Sequence, residues 1–265
     1  VQATRIPQLI EAIAAWAARR PDVRAALLVG SRARVDVPAD EWSDVDIALF
    51  VDDPAPYLED PDWPNAFGEI LVTYVEPTAV GAFSERRALF ADGTDVDFAV
   101  LPASVAADIA ADPAMAQVVR RGHRLLHDEL DLASLLARTP SVPPPSAPDE
   151  ADLLATFWYQ AIWAANKLQR GEAWAARGAV EGAMKAIVLE LARARAGDAW
   201  HSTRFAERWA PETVDRLWAA TADGPGDVGR ALRLLADEAE RFAPASPGVR
   251  ALLEAILDGQ LPPAD

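Results

Sequence analysis

The chain has 265 residues, 51% of them apolar, enough for one large or two ordinary domains and too many for wholesale disorder. Its formal net charge of -16 argues against a partner as anionic as nucleic acid or a membrane surface, and favours a cationic one. With no cysteine, disulfides, thiolate metal sites and cysteine nucleophiles are excluded, which suits a cytoplasmic address.

Residues 5–20 carry the apolar spacing of an amphipathic helix, stopped by Pro21, and lack the uninterrupted apolar run of a signal peptide. No stretch approaches the ~20 apolar residues that span a bilayer. AALLVG (25–30) reads as a buried strand ending on Gly30. DVDIALFV (44–51), EILVTYVE (69–76) and TDVDFAVLP (94–102) read as further strands, and 103–112 and 114–122 as helices. The segment TPSVPPPSAPDE (139–150) is a stiff, proline-rich linker. Beyond it no strand appears. Helices are expected over 150–170, 172–195, 203–209, 212–222, 227–243 and 247–258, with Asp149 or Ser146 as the first cap and Thr203 or Pro211 opening later ones. The expected fold is therefore α+β: a mixed sheet with flanking helices over 1–140, then a helical bundle over 141–265.

The chemistry concentrates in 29–51. A strand stops at Gly30, and Ser31 and Arg32 follow where the chain turns. Such a turn can aim N–H groups and a hydroxyl at a phosphate. Ser43-Asp44-Val45-Asp46 then opens a strand. Side chains alternate along a strand, so Asp44 and Asp46 share one face. Two carboxylates on one face repel unless a cation lies between them, and hard ions such as Mg²⁺ suit oxygen sites of this kind. Asp95 and Asp97 repeat the format. If the two strands are neighbours, Asp97 completes a three-carboxylate cluster able to hold two metal ions, or acts as general base toward a hydroxyl.

Other residues carry weaker signals. Tyr159 and Trp163 stand four apart on one helix with Trp158 next to them, and read as bundle packing or, second, as the lining of a sugar-binding cleft. Trp63 lies between prolines in a loop (PDWPN), and its exposure would suit ligand contact. His123 and His127 have metal-ligand spacing only if helical, and Gly122 opposes that. Arg195 and His201 have the spacing of helical ribonuclease toxins, a motif too short to argue from.

At these residues the sequence resembles the polymerase-β-type nucleotidyltransferases, and within them the aminoglycoside 6-adenylyltransferases that modify streptomycin. The resemblance runs through GSRARVDVPADEWSDVDIALFV (30–51), the Trp63 to Glu69 stretch, Leu89 to Gly93 leading to Asp97, and FWYQAIWAANKLQRGE (157–172). It covers about 20–200. It implies transfer of AMP from ATP to a hydroxyl of an antibiotic, with pyrophosphate released. By resemblance, Gly30, Ser31, Arg32 and Lys167 would bind the nucleotide, and Asp44, Asp46 and Asp97 would hold two Mg²⁺ ions and catalyse. Glu69, Trp63, Glu172 and Glu181 become candidates to meet a cationic small-molecule acceptor. The first part would be the nucleotidyltransferase domain and the helical part the substrate-binding one. The enzyme would be a monomer or homodimer. Gly171 departs from the family, which tends to carry an acidic residue there, and 196–210 is only loosely similar. The acceptor therefore stays open between an aminoglycoside, a lincosamide, and a protein hydroxyl of the toxin–antitoxin kind.

Overall fold

The computed structural model describes residues 2–34, 39–109, 111–138, 149–197 and 203–260. The chain divides into two compact units, Val1–Pro143 and Pro144–Asp265.

In the first unit, helix α1 (Gln2–Ala17) leads into strand β1 (Val23–Val29), a one-turn 3-10 helix at Gly30–Arg32, and strand β2 (Val45–Val51). Helix α2 (Ala55–Glu59), strands β3 (Ile70–Pro77), β4 (Ser84–Phe90) and β5 (Asp95–Pro102), helix α3 (Pro113–Arg121), strand β6 (Arg124–Asp128) and helix α4 (Leu132–Arg138) follow. The six strands form one sheet in the order β3-β4-β5-β2-β1-β6. Only β2 and β5 run parallel among its pairs, so the sheet is mixed.

Each face of the sheet has its own core. Val45, Ile47, Leu49 and Val51 pack with Leu9, Ile13, Tyr57 and Phe98 under α1 and α2. Phe50, Leu27 and Leu101 pack on the other face with Ile109, Val119 and Leu132. Because side chains alternate, Asp46 and Ala48 lie on the face of Phe50. The sequence reading lacked β4 and β6. It also had 103–112 as a helix, where the chain makes a 3-10 segment at Ala103–Asp108.

The second unit is all helical among its described residues. It comprises α5 (Glu150–Gln169), α6 (Ala173–Gly178), a π-helical stretch (Ala179–Met184), α7 (Lys185–Ala196), α8 (Ala206–Trp209), α9 (Pro211–Ala219), α10 (Val228–Glu240) and α11 (Pro247–Leu257). Asp149 caps α5 by accepting the Ala151 N–H, and Gly197 ends α7 in the left-handed conformation. Phe157, Trp158, Ala161 and Ala165 of α5 meet Leu232, Leu235 and Ala239 of α10 and Leu253 and Ile256 of α11 in one core. Phe157 and Trp158 are the packing aromatics of α5. Tyr159, expected to pack, is 71% exposed instead, because its position falls on the opposite side of that helix. Among the described residues no helix is long and apolar enough to cross a membrane.

Candidate active site

The parallel pairing of β2 with β5 sets Asp46 in register with Asp97. Asp44 precedes β2 by one residue, on the same side as Asp46. One carboxylate oxygen from each of Asp44, Asp46 and Asp97 lies within 4.8 Å of the others. The turn after β1 closes over this cluster. Gly30 has φ +65°, and a Cβ there would overlap the Asp46 carboxylate, so only glycine lets β1 end this close to β2. The Ser31 backbone N–H donates to Asp46. The Ser31 hydroxyl is buried and has no hydrogen-bond partner among the described residues.

Burial and crowding oppose ionisation here. The Asp46 carboxyl is pushed up to about 6 by burial and then by the Asp44 charge, against the pull of Arg34 and the Ser31 N–H. Asp97 is pushed up to about 7 by burial, opposed by Arg87 and reinforced by Asp95, Asp46 and Glu85. Burial also raises Glu85. Carboxylates held at this cost suit a hard divalent cation, which would relieve both desolvation and repulsion. Three convergent oxygens and an unpartnered buried hydroxyl beside them fit Mg²⁺ carrying a phosphate. On the same face lies a cavity of about 370 Å³. Asp46, Asp97 and Glu85 line it together with Ala48, Phe50 and Val119.

Other residues singled out from sequence take different places. Arg32 turns into the protein: its Nε donates to the Asp44 carbonyl at 2.8 Å and its Nη2 to the Ser43 carbonyl, pinning the approach to β2. Trp63, expected to be exposed, is instead half-buried and packs against the core of the first unit. It stacks on Trp16 with ring centroids 5.2 Å apart, meets Phe98 at 4.7 Å, and donates Nε1–H to the Tyr57 carbonyl. A loop tryptophan between prolines reads as exposed, but the 3-10 turn at Trp63–Phe67 folds it onto α1. Glu69 is exposed just before β3, and its carbonyl accepts the Ala91 N–H.

Lys167 and Glu172, in the second unit, bind each other at 2.6 Å, with Arg170 also on Glu172 at 2.9 Å. The Lys167 ammonium lies 5.3 Å from the Trp163 ring centre. Glu181 is spent on Lys185 at 2.6 Å and on the Ala222 N–H at 2.7 Å. His123 and His127 flank and enter β6, so they do not share a helix. His201 and Ser146 lie outside the described residues, and Arg195 is tied to Glu150 and to the Phe242 carbonyl. Sequence reasoning missed Glu85 and Arg87, which β4 brings to the face of the carboxylates. Their signal was a strand hidden by its own charges.

A profile described as streptomycin adenylyltransferase matches residues 5–221. The chain belongs to that family. The aminoglycoside 6-adenylyltransferase of Campylobacter jejuni is 33% identical over 86 residues, and that of Bacillus subtilis (strain 168) is 32% identical over 92. These alignments span 30% and 32% of both the chain and each relative, so the chain matches about a third of the length of those relatives. The crystal structure of an aminoglycoside 6-adenyltransferase from Bacillus subtilis aligns over 94% of this chain and 97% of that one. Its identity is 17% and its TM-score 0.40, too low for a residue-level comparison.

Proposed function

We propose that the protein is an adenylyltransferase that moves AMP from Mg-ATP to a hydroxyl of an aminoglycoside such as streptomycin, releasing pyrophosphate. The observation that carries this reading is the meeting of Asp44, Asp46 and Asp97 beside the Gly30-Ser31 turn in a chain of this family. The relatives named for aminoglycoside 6-adenylylation support the acceptor class. A reaction that draws on ATP fits a cytoplasmic enzyme, acting as a monomer or homodimer.

In this reading Asp44, Asp46 and Asp97 hold Mg²⁺, in one or two ions. When bound, the metal neutralises the charge that the triphosphate and the carboxylates share. The Ser31 hydroxyl and the turn at Gly30 face the phosphates, with donors already in place when charge develops in transfer. The acceptor oxygen attacks the α-phosphorus, the bond to pyrophosphate breaks, and the hydroxyl proton must leave. Asp97 is the residue to take it. Its carboxylate lies in the cluster at which the acceptor hydroxyl must arrive, so its position rather than its metal-free titration suits it to the proton. Glu85, on the same face, and Glu69 offer negative charge to acceptor amines. The first unit is thus proposed as the catalytic domain and the second as the one that selects the acceptor.

The test is incubation with Mg-ATP and a panel of aminoglycosides and lincosamides, following pyrophosphate and product mass. Addition of one AMP group to an aminoglycoside, lost in Asp44→Ala, is the expected result. An adduct on a lincosamide alone would move the acceptor class, and full activity in Asp44→Ala would overturn the site.

A further inference from the structure

Arg87 has no part in the roles assigned so far. It stands on β4 directly across from Asp97 on β5. Its Nε lies 2.9 Å from Asp97 Oδ1. Its Nη1 donates to Glu76 Oε1 at 3.2 Å and its Nη2 to Asp95 Oδ2 at 3.3 Å. One guanidinium therefore ties together carboxylates of β3 and β5. A planar guanidinium reaches these acceptors from three separate nitrogens, whereas a lysine offers all its N–H bonds from a single atom. The contact with Asp97 is close but not aligned: Oδ1 is buried and accepts no well-aimed hydrogen bond. Asp97 Oδ1 is thus held against Arg87 by charge rather than by a directed N–H.

We propose that Arg87 is a positioning residue that ties down one oxygen of Asp97, so that Asp97 offers the cluster a single oxygen in a fixed orientation. The proposal rests on the reading of Asp44, Asp46 and Asp97 as a metal site. It has two consequences of opposite sign. Arg87 is a cation beside a cation site, so removing it relieves repulsion and tightens divalent binding. Removing it also frees the Asp97 carboxylate to turn, and alignment of the reacting groups is lost. An arginine that only braces the sheet produces neither effect in that combination.

The experiment uses the full chain. Mn²⁺ binding is followed by electron paramagnetic resonance without nucleotide, and AMP transfer to streptomycin is followed separately. Arg24→Ala is the control, because Arg24 pairs with Asp52 and Glu129 at the other end of β1. It should match wild type in both measurements. Arg87→Ala should bind Mn²⁺ roughly three- to tenfold tighter, the effect of one unit charge across a wet site. Its kcat should nevertheless fall by about tenfold or more, with KM for ATP moving less. Arg87→Lys keeps the charge and loses the fork, so it should show wild-type Mn²⁺ affinity with a lowered kcat. Wild-type kcat in either variant, or unchanged or weaker Mn²⁺ binding in Arg87→Ala, would overturn the proposal. If Arg87→Ala fails to fold, Arg87→Lys decides alone: a lowered kcat with unchanged Mn²⁺ affinity supports the proposal, and a wild-type kcat or an altered Mn²⁺ affinity overturns it. A wild type whose Mn²⁺ binding is indifferent to Asp46→Asn would overturn the metal reading itself, a failure visible without any Arg87 variant.

Discussion

Gly30 lies closer to the Asp46 carboxylate than any side chain at that position allows. A methyl group at position 30 meets the Asp46 carboxylate and needs a left-handed backbone as well. Gly30→Ala should therefore keep its circular dichroism spectrum and lose at least about 100-fold in turnover, since displacements near 1 Å at a reacting centre cost that much. An active Gly30→Ala would mean that Asp46 is not where transfer takes place. The acids also write a pH dependence into stability. Asp46 and Asp97 titrate at about 6 and about 7 in the folded chain, and near 4 when unfolded. Between these values the folded state binds more protons than the unfolded one, so stability falls as pH rises from about 4 through 7 and levels off above. The metal-free protein should melt at a lower temperature at pH 8 than at pH 5. Asp97→Asn should flatten that slope, and Mg²⁺ should raise the melting temperature more at pH 8 than at pH 5. A slope in Asp97→Asn equal to that of wild type would assign the effect elsewhere.

Elements differ in how openly their sequences declare them. In β2 and β5 the D-x-D format followed by apolar residues exposed strand and face together, because the acids of the cluster and core residues alternate on opposite sides; that the two strands are neighbours came only from the fold. β4 was illegible for a physical reason. Its segment SERRALF carries Arg86, which is buried and donates its N–H groups to the carbonyls of Tyr57 and Leu58 and to the Thr73 hydroxyl. It also carries Glu85 and Arg87, which are polar because they face the acidic site. A strand charged on both faces has no hydrophobic period to read. Trp63 failed in the opposite way: its local context said loop, and its burial depends on Trp16, far away in sequence. The helical unit conceals a similar device. Glu238 of α10 is 2% exposed and meets Arg216 and Thr213 of α9, with Arg241 at 3.6 Å. A buried carboxylate stripped of its main partner is left nearly uncompensated. Arg216→Ala should destabilise the protein by about 2 kcal/mol in urea, below the range for a fully buried pair because Thr213 and Arg241 remain. A change under about 0.5 kcal/mol, the usual size for a surface pair, would show that water already carries this charge.

For the molecule as a whole, the excess of 41 acidic over 25 basic side chains acts oppositely on the two proposed substrates. A polycationic acceptor is drawn toward such a chain and MgATP, still an anion, is repelled. The imbalance is larger ahead of the linker, where residues 1–140 hold 23 acidic and 12 basic side chains, than after it, where 141–265 hold 18 and 13. The proposed catalytic face sharpens it, since Glu76, Glu85, Asp95, Asp97, Asp46 and Asp44 share that face with Arg87. Such a field reaches over roughly 10 Å at 0.1 M salt and only about 3 Å at 1 M. Raising KCl should therefore raise KM for streptomycin severalfold while leaving KM for MgATP level or lower. Only an acceptor drawn in by long-range charge produces that divergence. A neutral acceptor would leave its KM flat, and a general salt effect on folding would raise both constants together. The measurement needs no variant, and its two curves separate attraction by the whole molecule from the local contacts of Glu69 and Glu85. If charge acts mainly at contact, Glu85→Gln should raise KM for streptomycin at low and high salt alike. If it acts mainly at a distance, the variant should matter little once salt has screened the field.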